Sequence, residues 1–182
     1  VPAGVAASAF ITDERRSVMS YDEPLILVTD HKIDAVEPIL PILEMIAREG
    51  RPLIIVAEEV EGQALAALIM NAMRGTLKVA AIKAPFYGNE RRDTMSDLAA
   101  SVGATFITRE SGVKLNDIQL KDLGSAKSVE GNKYVTTFVG GTADFEEIER
   151  RIDSLKSDIK NCDDMQTAEL MQGRIVRLVS GV

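Results

Sequence analysis

Aromatic side chains are scarce in this 182-residue chain, which has five Phe, three Tyr and no Trp. That scarcity argues against a sugar or nucleobase site built by stacking on several rings. Cysteine is almost absent too: Cys162 stands alone, which excludes an internal disulfide framework and fits a reducing compartment. Its neighbours Asp163 and Asp164 disfavour a thiolate, so Cys162 is not read as a nucleophile. The basic residues are scattered in pairs such as Arg15-Arg16, Arg91-Arg92 and Arg150-Arg151, and the formal net charge is −7. No basic stripe exists to follow a phosphate backbone, which argues against nucleic acid as a partner. The chain lacks any run of about 18 apolar residues, the length a membrane-spanning helix needs. Neither a starting Met nor a charged-then-apolar leader is present, and VPAG reads as an internal cut in something longer.

What is present is an ordinary balance of 46% hydrophobic and 27% charged residues, in a chain long enough for one domain with a real core. Pro24 to Thr29 reads as a strand by β-branching and length. An apolar pattern at helical spacing follows to Glu49, comprising Ile33, Val36, Ile39, Leu40, Leu43, Ile46 and Ala47, with Ile42 and Met45 off the stripe. Pro38 and Pro41 predict a loose entry turn, with the regular helix starting near Pro41 and stopping at Gly50. Leu53 to Ala57 is a second strand, Gln63 to Arg74 a second helix, and Leu77 to Ile82 a third strand. This alternation predicts a parallel sheet with right-handed crossovers, hence an α/β fold.

Arg91 to Val102 reads as an amphipathic helix, Thr105 to Thr108 as a short strand, and Leu120 to Gly124 as a helical turn. Ala126 to Val139 reads as a hairpin turning at Glu130 to Lys133. After Gly140-Gly141 the character changes. Asp144 to Ile159 and Met165 to Val179 read as two charged helices, so the expected organisation is a single domain over 1–182. It comprises an α/β body over 1–141 and a C-terminal αα-hairpin over 142–182.

Candidate chemistry is thin. Glu58, Glu59 and Glu61 lie after a strand, where open α/β sheets bind ligands and where carboxylates could hold a divalent cation. The same acids suit the dipole of the helix that follows. His31 could act as a base but has no partner at recognisable spacing and reads as a solvated loop residue. Neither G-x-G-x-x-G nor G-x-x-x-x-G-K-[ST] occurs, and Gly140-Gly141-Thr142 is explained as a turn with a Thr cap. No nucleophile elbow surrounds Ser111 or Ser180.

The apolar helices remain. On Gln63 to Arg74 the apolar side chains cover an arc of roughly 240°, about twice what one-sided packing needs. Leu68 and Met73 are assigned to the inward face. Leu40 and Leu43 on the first helix, with Leu65 and Ile69 on the second, are the natural lining of an exposed groove for an apolar segment of another chain. Two rival readings stand beside it: a small metal-dependent α/β enzyme using the Glu58/Glu59/Glu61 turn, and an interaction domain for one fixed partner.

The run IVAEEVEGQALAALIMNAMRGTLKVAAIKAP, residues 55–85, closely resembles the corresponding run of GroEL-type, group I chaperonins. The likeness extends through LVTDHKI, ILPILEMIAREGRPL, LKDLGSAKSV and the closing LVSGV, and corresponds to the family's apical domain. The resemblance implies a layered β/β/α sandwich with a C-terminal helical hairpin. It also implies a groove for non-native polypeptide and for the mobile loop of a co-chaperonin. Carried over by motif, the groove positions are Leu40, Leu43, Leu65, Ile69 and Met70, with Val5, Ala9 and Phe10 from GVAASAF. Val5 and Ala9 stand where the family pattern GY-x-SPYF has tyrosines, and KAPFYG replaces KAPGFG, which implies a divergent member with a retuned client range. The family's ATP and Mg²⁺ belong to an equatorial domain outside the matching part. No cofactor, no metal and no ATP hydrolysis are therefore expected of this chain itself. The same resemblance implies a homo-oligomeric ring for the parent, located in the cytoplasm, an organellar matrix or stroma, or a host cytoplasm if viral.

Overall fold

The computed structural model describes residues 4–142 and 145–180. The expected helix start at Asp144 and the closing Gly181-Val182 lie outside the described residues. Ten strands and five α-helices follow one another as β1 (Met19–Asp22), β2 (Leu25–Thr29), β3 (Lys32–Ile33), α1 (Leu40–Glu49), β4 (Leu53–Ala57), β5 (Glu59–Val60), α2 (Gly62–Arg74), β6 (Val79–Lys83), α3 (Gly88–Val102), β7 (Phe106–Ile107), β8 (Gly124–Ser125), β9 (Ser128–Gly131), β10 (Thr136–Val139), α4 (Phe145–Lys160) and α5 (Met165–Ser180) among the described residues.

The centre is a mainly parallel sheet in the order β6-β4-β2-β7. Every residue of β2 (LILVT) and β4 (LIIVA) is buried, as expected of strands covered on both faces. One edge of β2 is shared: β7 pairs in parallel with Val28 and Thr29, and β8 pairs antiparallel with Leu25 and Ile26. The buried Thr29 hydroxyl donates to the Ile107 carbonyl at 2.8 Å, fastening β7 in place. The chain steps outward from β2 to β4 to β6, so right-handed crossovers lay α1 and α2 on the same face. The return from β6 to β7 lays α3 on the opposite face. There α3 packs against both α4 and α5. A second sheet, β1-β9-β10, is antiparallel, and its Met19, Val129 and Phe138 belong to the same core as the parallel sheet. The α/β class is thus as expected, with two sheets sharing one core.

Several boundaries move, each for a local reason. The 3-10 turn Glu37–Ile39 absorbs Pro38, and α1 opens at Leu40 with Pro41 in its first turn, as the two prolines predict. Ile42, placed off the stripe, is buried, while Ala47, placed on it, is exposed. β6 begins two residues later than expected because the Thr76 and Leu77 amides both donate to the Asn71 carbonyl, closing the end of α2. The hairpin turn lies at 132–135 rather than 130–133. Asn132 Oδ1 accepts from the Tyr134 and Val135 amides at 2.7 and 2.9 Å, an Asx turn that leaves Glu130 and Gly131 in the strand. β1 and the β3–β5 pair were not expected, being short and without clear alternation.

Gly103 ends α3 in the left-handed region at φ +72°, and a Cβ there would lie 2.5 Å from the Thr142 carbonyl oxygen. Gly103→Ala therefore combines backbone strain with a backbone clash, for an expected loss of about 1–3 kcal/mol. Urea unfolding measures it; an unchanged midpoint would show that the linker at Thr142 is free to move aside.

Candidate functional site

Ala64 and Leu68 hold α2 onto the sheet and are both 0% exposed. Leu65, Ile69 and Ala72 are half-buried and pack on the core from the flanks. On the outer side, Ala66 is exposed, Met70 is 51% exposed and Met73 is 73% exposed. Met73 is thus not an inward residue, which corrects the sequence assignment. Five residues along a helix amount to about 500°, which puts Met73 about 140° round the axis from Leu68. Ala66, Ile69, Met70 and Met73 form an i, i+3, i+4, i+7 stripe on the outer face. With Arg74 at its end, that stripe lines a shallow concavity whose walls are otherwise apolar. Ala66 and Met73 were not among the expected site residues, although their helical spacing with Ile69 and Met70 is legible in the sequence.

The other expected positions divide by exposure. Residues 5–10 lie beside this helix, because the 3-10 turn Ser8–Phe10 packs on α2 and on β6. The Ala6 amide donates to the Ala81 carbonyl at 2.8 Å, and Val5 bridges Ile82, so this segment covers the outer edge of β6. Val5 and Ala9 are half-buried, whereas Phe10 is 1% exposed and is a core residue. On α1, Leu40 is 43% exposed but Leu43 only 7%. Direct apolar contact is therefore available at Met70 and Leu40, and in part at Val5, Ala9, Leu65 and Ile69. Leu40 and Leu43 do not line the α2 concavity.

The acidic turn is occupied by its own cations. Glu58 faces Arg109 at 3.1 Å and Arg91 at 3.6 Å, and Glu59 faces Lys83 at 3.7 Å and Lys32 at 3.9 Å. Carboxylates so compensated offer a divalent cation little net attraction, and the lysines and arginines would have to be displaced first. Among the described residues no group of three His, Cys, Asp or Glu could hold a metal ion. Glu61 sits at the N-cap position of α2, where its charge favours the helix dipole. Nearby, an Arg92 hydrogen bond holds the Glu110 carboxyl below its usual range.

His31 is not the freely solvated residue expected: it is half-buried, and its Nε2 is buried without a hydrogen-bond partner. Cys162 is likewise half-buried, its thiol donating to the Asp164 carbonyl at 3.3 Å. On the far face of the sheet, Asp97 of α3 is buried and accepts from Arg151 of α4 at 3.0 Å and from Arg174 of α5 at 2.7 and 3.0 Å. That hydrogen bonding holds the Arg174 guanidinium above its ordinary pKa range. No helix among the described residues is long and apolar enough to cross a membrane.

No family model matches the chain. Over 180 residues, 98% of its length, it is 38% identical to Chaperonin GroEL of Wolbachia sp. subsp. Brugia malayi (strain TRS). It is 39% identical over the same span to Chaperonin GroEL of Wolbachia pipientis wMel, and 38% to that of Wolbachia sp. subsp. Drosophila simulans (strain wRi). Those 180 residues make up 33% of each relative, so the chain spans about a third of the length of the curated relatives it matches. At 38–39% identity over 98% of its length, the chain is a GroEL-like segment, matching about a third of these chaperonins.

Proposed function

We propose that the chain is the polypeptide-binding apical part of a chaperonin subunit. Its α2 face holds exposed hydrophobic segments of non-native proteins. The observation that carries this reading is the outward stripe Ala66, Ile69, Met70 and Met73 on a helix already anchored by Ala64 and Leu68. A helix-in-groove or extended apolar segment meets such a stripe at i, i+3, i+4 and i+7. Methionine suits varied clients, because its unbranched thioether chain adapts its shape and its contacts are non-directional. Val5, Ala9 and Leu65 extend the apolar border where the Ser8–Phe10 turn meets α2, and Leu40 offers a further exposed apolar side chain on α1. Phe10 and Leu43 are core residues and support the fold rather than the contact surface. The relatives' name, Chaperonin GroEL, agrees with a role in protein folding. In the parent we place this part in a homo-oligomeric ring, where ATP and Mg²⁺ bound by other domains drive release. A co-chaperonin loop would compete for the same face.

Met70→Glu/Met73→Glu is the appropriate test, because Leu65 and Ile69 also pack on the core and their loss would perturb folding. Fully burying a methionine is worth about 1.5–3 kcal/mol, so the double variant should bind unfolded protein at least about tenfold more weakly. Its stability should stay within about 0.5 kcal/mol of the parent, since both side chains face solvent. The probe is fluorescent, reduced and carboxymethylated α-lactalbumin, read by anisotropy. Undiminished binding by the folded variant would sink the reading.

A further inference from the structure

We propose that oxidation of Met70 and Met73 to sulfoxides turns off the apolar face of α2, making the site sensitive to peroxide-class oxidants. The inference rests on the function proposed above. Of the residues lining the α2 concavity, the exposed large hydrophobics are both methionines, at 51% and 73%. They sit three residues apart on one face of the helix, so both sulfurs present to the same bound segment. Thioether oxidation depends on access. Met19 and Met95 are 0% and 1% exposed, and Met45 and Met171 are partly buried. Met165 is 80% exposed but lies on α5, which packs with α3 on the opposite face of the sheet.

The step balances without help from the protein. The methionine sulfur attacks one oxygen of hydrogen peroxide, the O–O bond breaks, and the departing hydroxide takes up the displaced proton as water. Sulfur is oxidised by two electrons and the peroxide is reduced by two. Each sulfoxide places a strong, fixed dipole where the lining offers no polar side chain except Arg74. A client's apolar segment cannot satisfy the new oxygen, so covering it costs desolvation without a compensating bond. The core side of α2, set by Ala64 and Leu68, contains no sulfur, so the fold is spared. Methionine sulfoxide reductases reverse the change, which makes it a switch rather than damage.

The test treats the 182-residue chain with hydrogen peroxide and measures affinity for carboxymethylated α-lactalbumin before and after. Peptide mass spectrometry locates the sulfoxides, and thermal melting confirms the fold. The expected result is sulfoxide at Met70, Met73 and Met165 ahead of Met19 and Met95. Binding should weaken roughly tenfold or more, since polar groups are buried unpaired, and should recover after treatment with both reductase epimer classes. Met165→Leu should respond to peroxide as the parent does. In Met70→Leu/Met73→Leu, the ratio of affinities before and after peroxide should stay near one. Equal loss in that variant, or unchanged binding with sulfoxide present at both positions, would overturn the inference. Failure of the untreated chain to bind the probe would instead defeat the proposed function on which the inference rests.

Discussion

Replacing Asp97 by alanine is expected to release the α4–α5 hairpin from the α/β body. The Asp97 side chain is 7% exposed and is bonded by Arg151 and Arg174, which are themselves only 26% and 21% exposed. Removing the carboxylate leaves two guanidinium groups with most of their water excluded and the acceptor they share gone. Breaking a buried pair in this way costs about 3–5 kcal/mol in general. Here Glu147 Oε1 and Ser96 Oγ still accept from Arg151 at 3.0 and 3.1 Å, and Asp93 remains 3.6 Å from Arg174, so the expected loss is about 2–4 kcal/mol. Asp97→Asn keeps one acceptor oxygen and should lose less. The apolar contact beneath the network is small, centred on Ile148, Leu155, Ile175 and Leu178. Amide hydrogen exchange should therefore accelerate in α4 and α5 before it does in β2 and β4. Uniform acceleration across the chain would mean that hairpin and body unfold as one unit and that Asp97 is not a local clamp.

Leu68→Ala is expected to lower stability by about 2–5 kcal/mol, as removal of a fully buried leucine leaves a cavity in a close-packed interior. Met73→Ala, five residues along the same helix, should change stability by no more than about 0.5 kcal/mol. The contrast follows from their exposures of 0% and 73%. Chemical denaturation of the two single variants checks it directly. Similar losses in both would mean that α2 is rolled on the sheet relative to the orientation described. The outward stripe of Ala66, Ile69, Met70 and Met73 would then no longer be the surface offered to a client. The pair thus fixes the orientation of the binding helix through stability alone, independently of any binding measurement.

The strand–helix alternation from Pro24 to Ile82 was legible because it rests on local signals: β-branched runs, helical apolar spacing and a stop at Gly50. Gly50 ends α1 in the left-handed region, as its position predicts, and Gly75 ends α2 in the same way. Short elements were not legible. β1 and the two-residue β3 and β5 draw their stability from partners rather than from their own sequence. At the candidate site the surplus of apolar side chains was legible, and the exposure of each one was not. Leu65, Ile69 and Met70 are surface-facing to differing degrees, while Phe10 and Leu43 turned out to be core. An apolar side chain carries no mark of which apolar surface it will meet.

The sequence by itself determined the α/β class, the family and the surplus of apolar surface on Leu53 to Gly75. Composition, periodicity and a long specific motif are properties of neighbouring residues. Tertiary structure alone decided how that surplus divides, because α2 packs both on the neighbouring β6 and on the Ser8–Phe10 turn, which only folding brings to it. It also decided the role of Asp97, whose partners lie 54 and 77 residues away. A charge becomes a clamp only when folding removes its water and brings two arginines to it. A methionine becomes a contact surface only when the rest of its helix has already claimed the core.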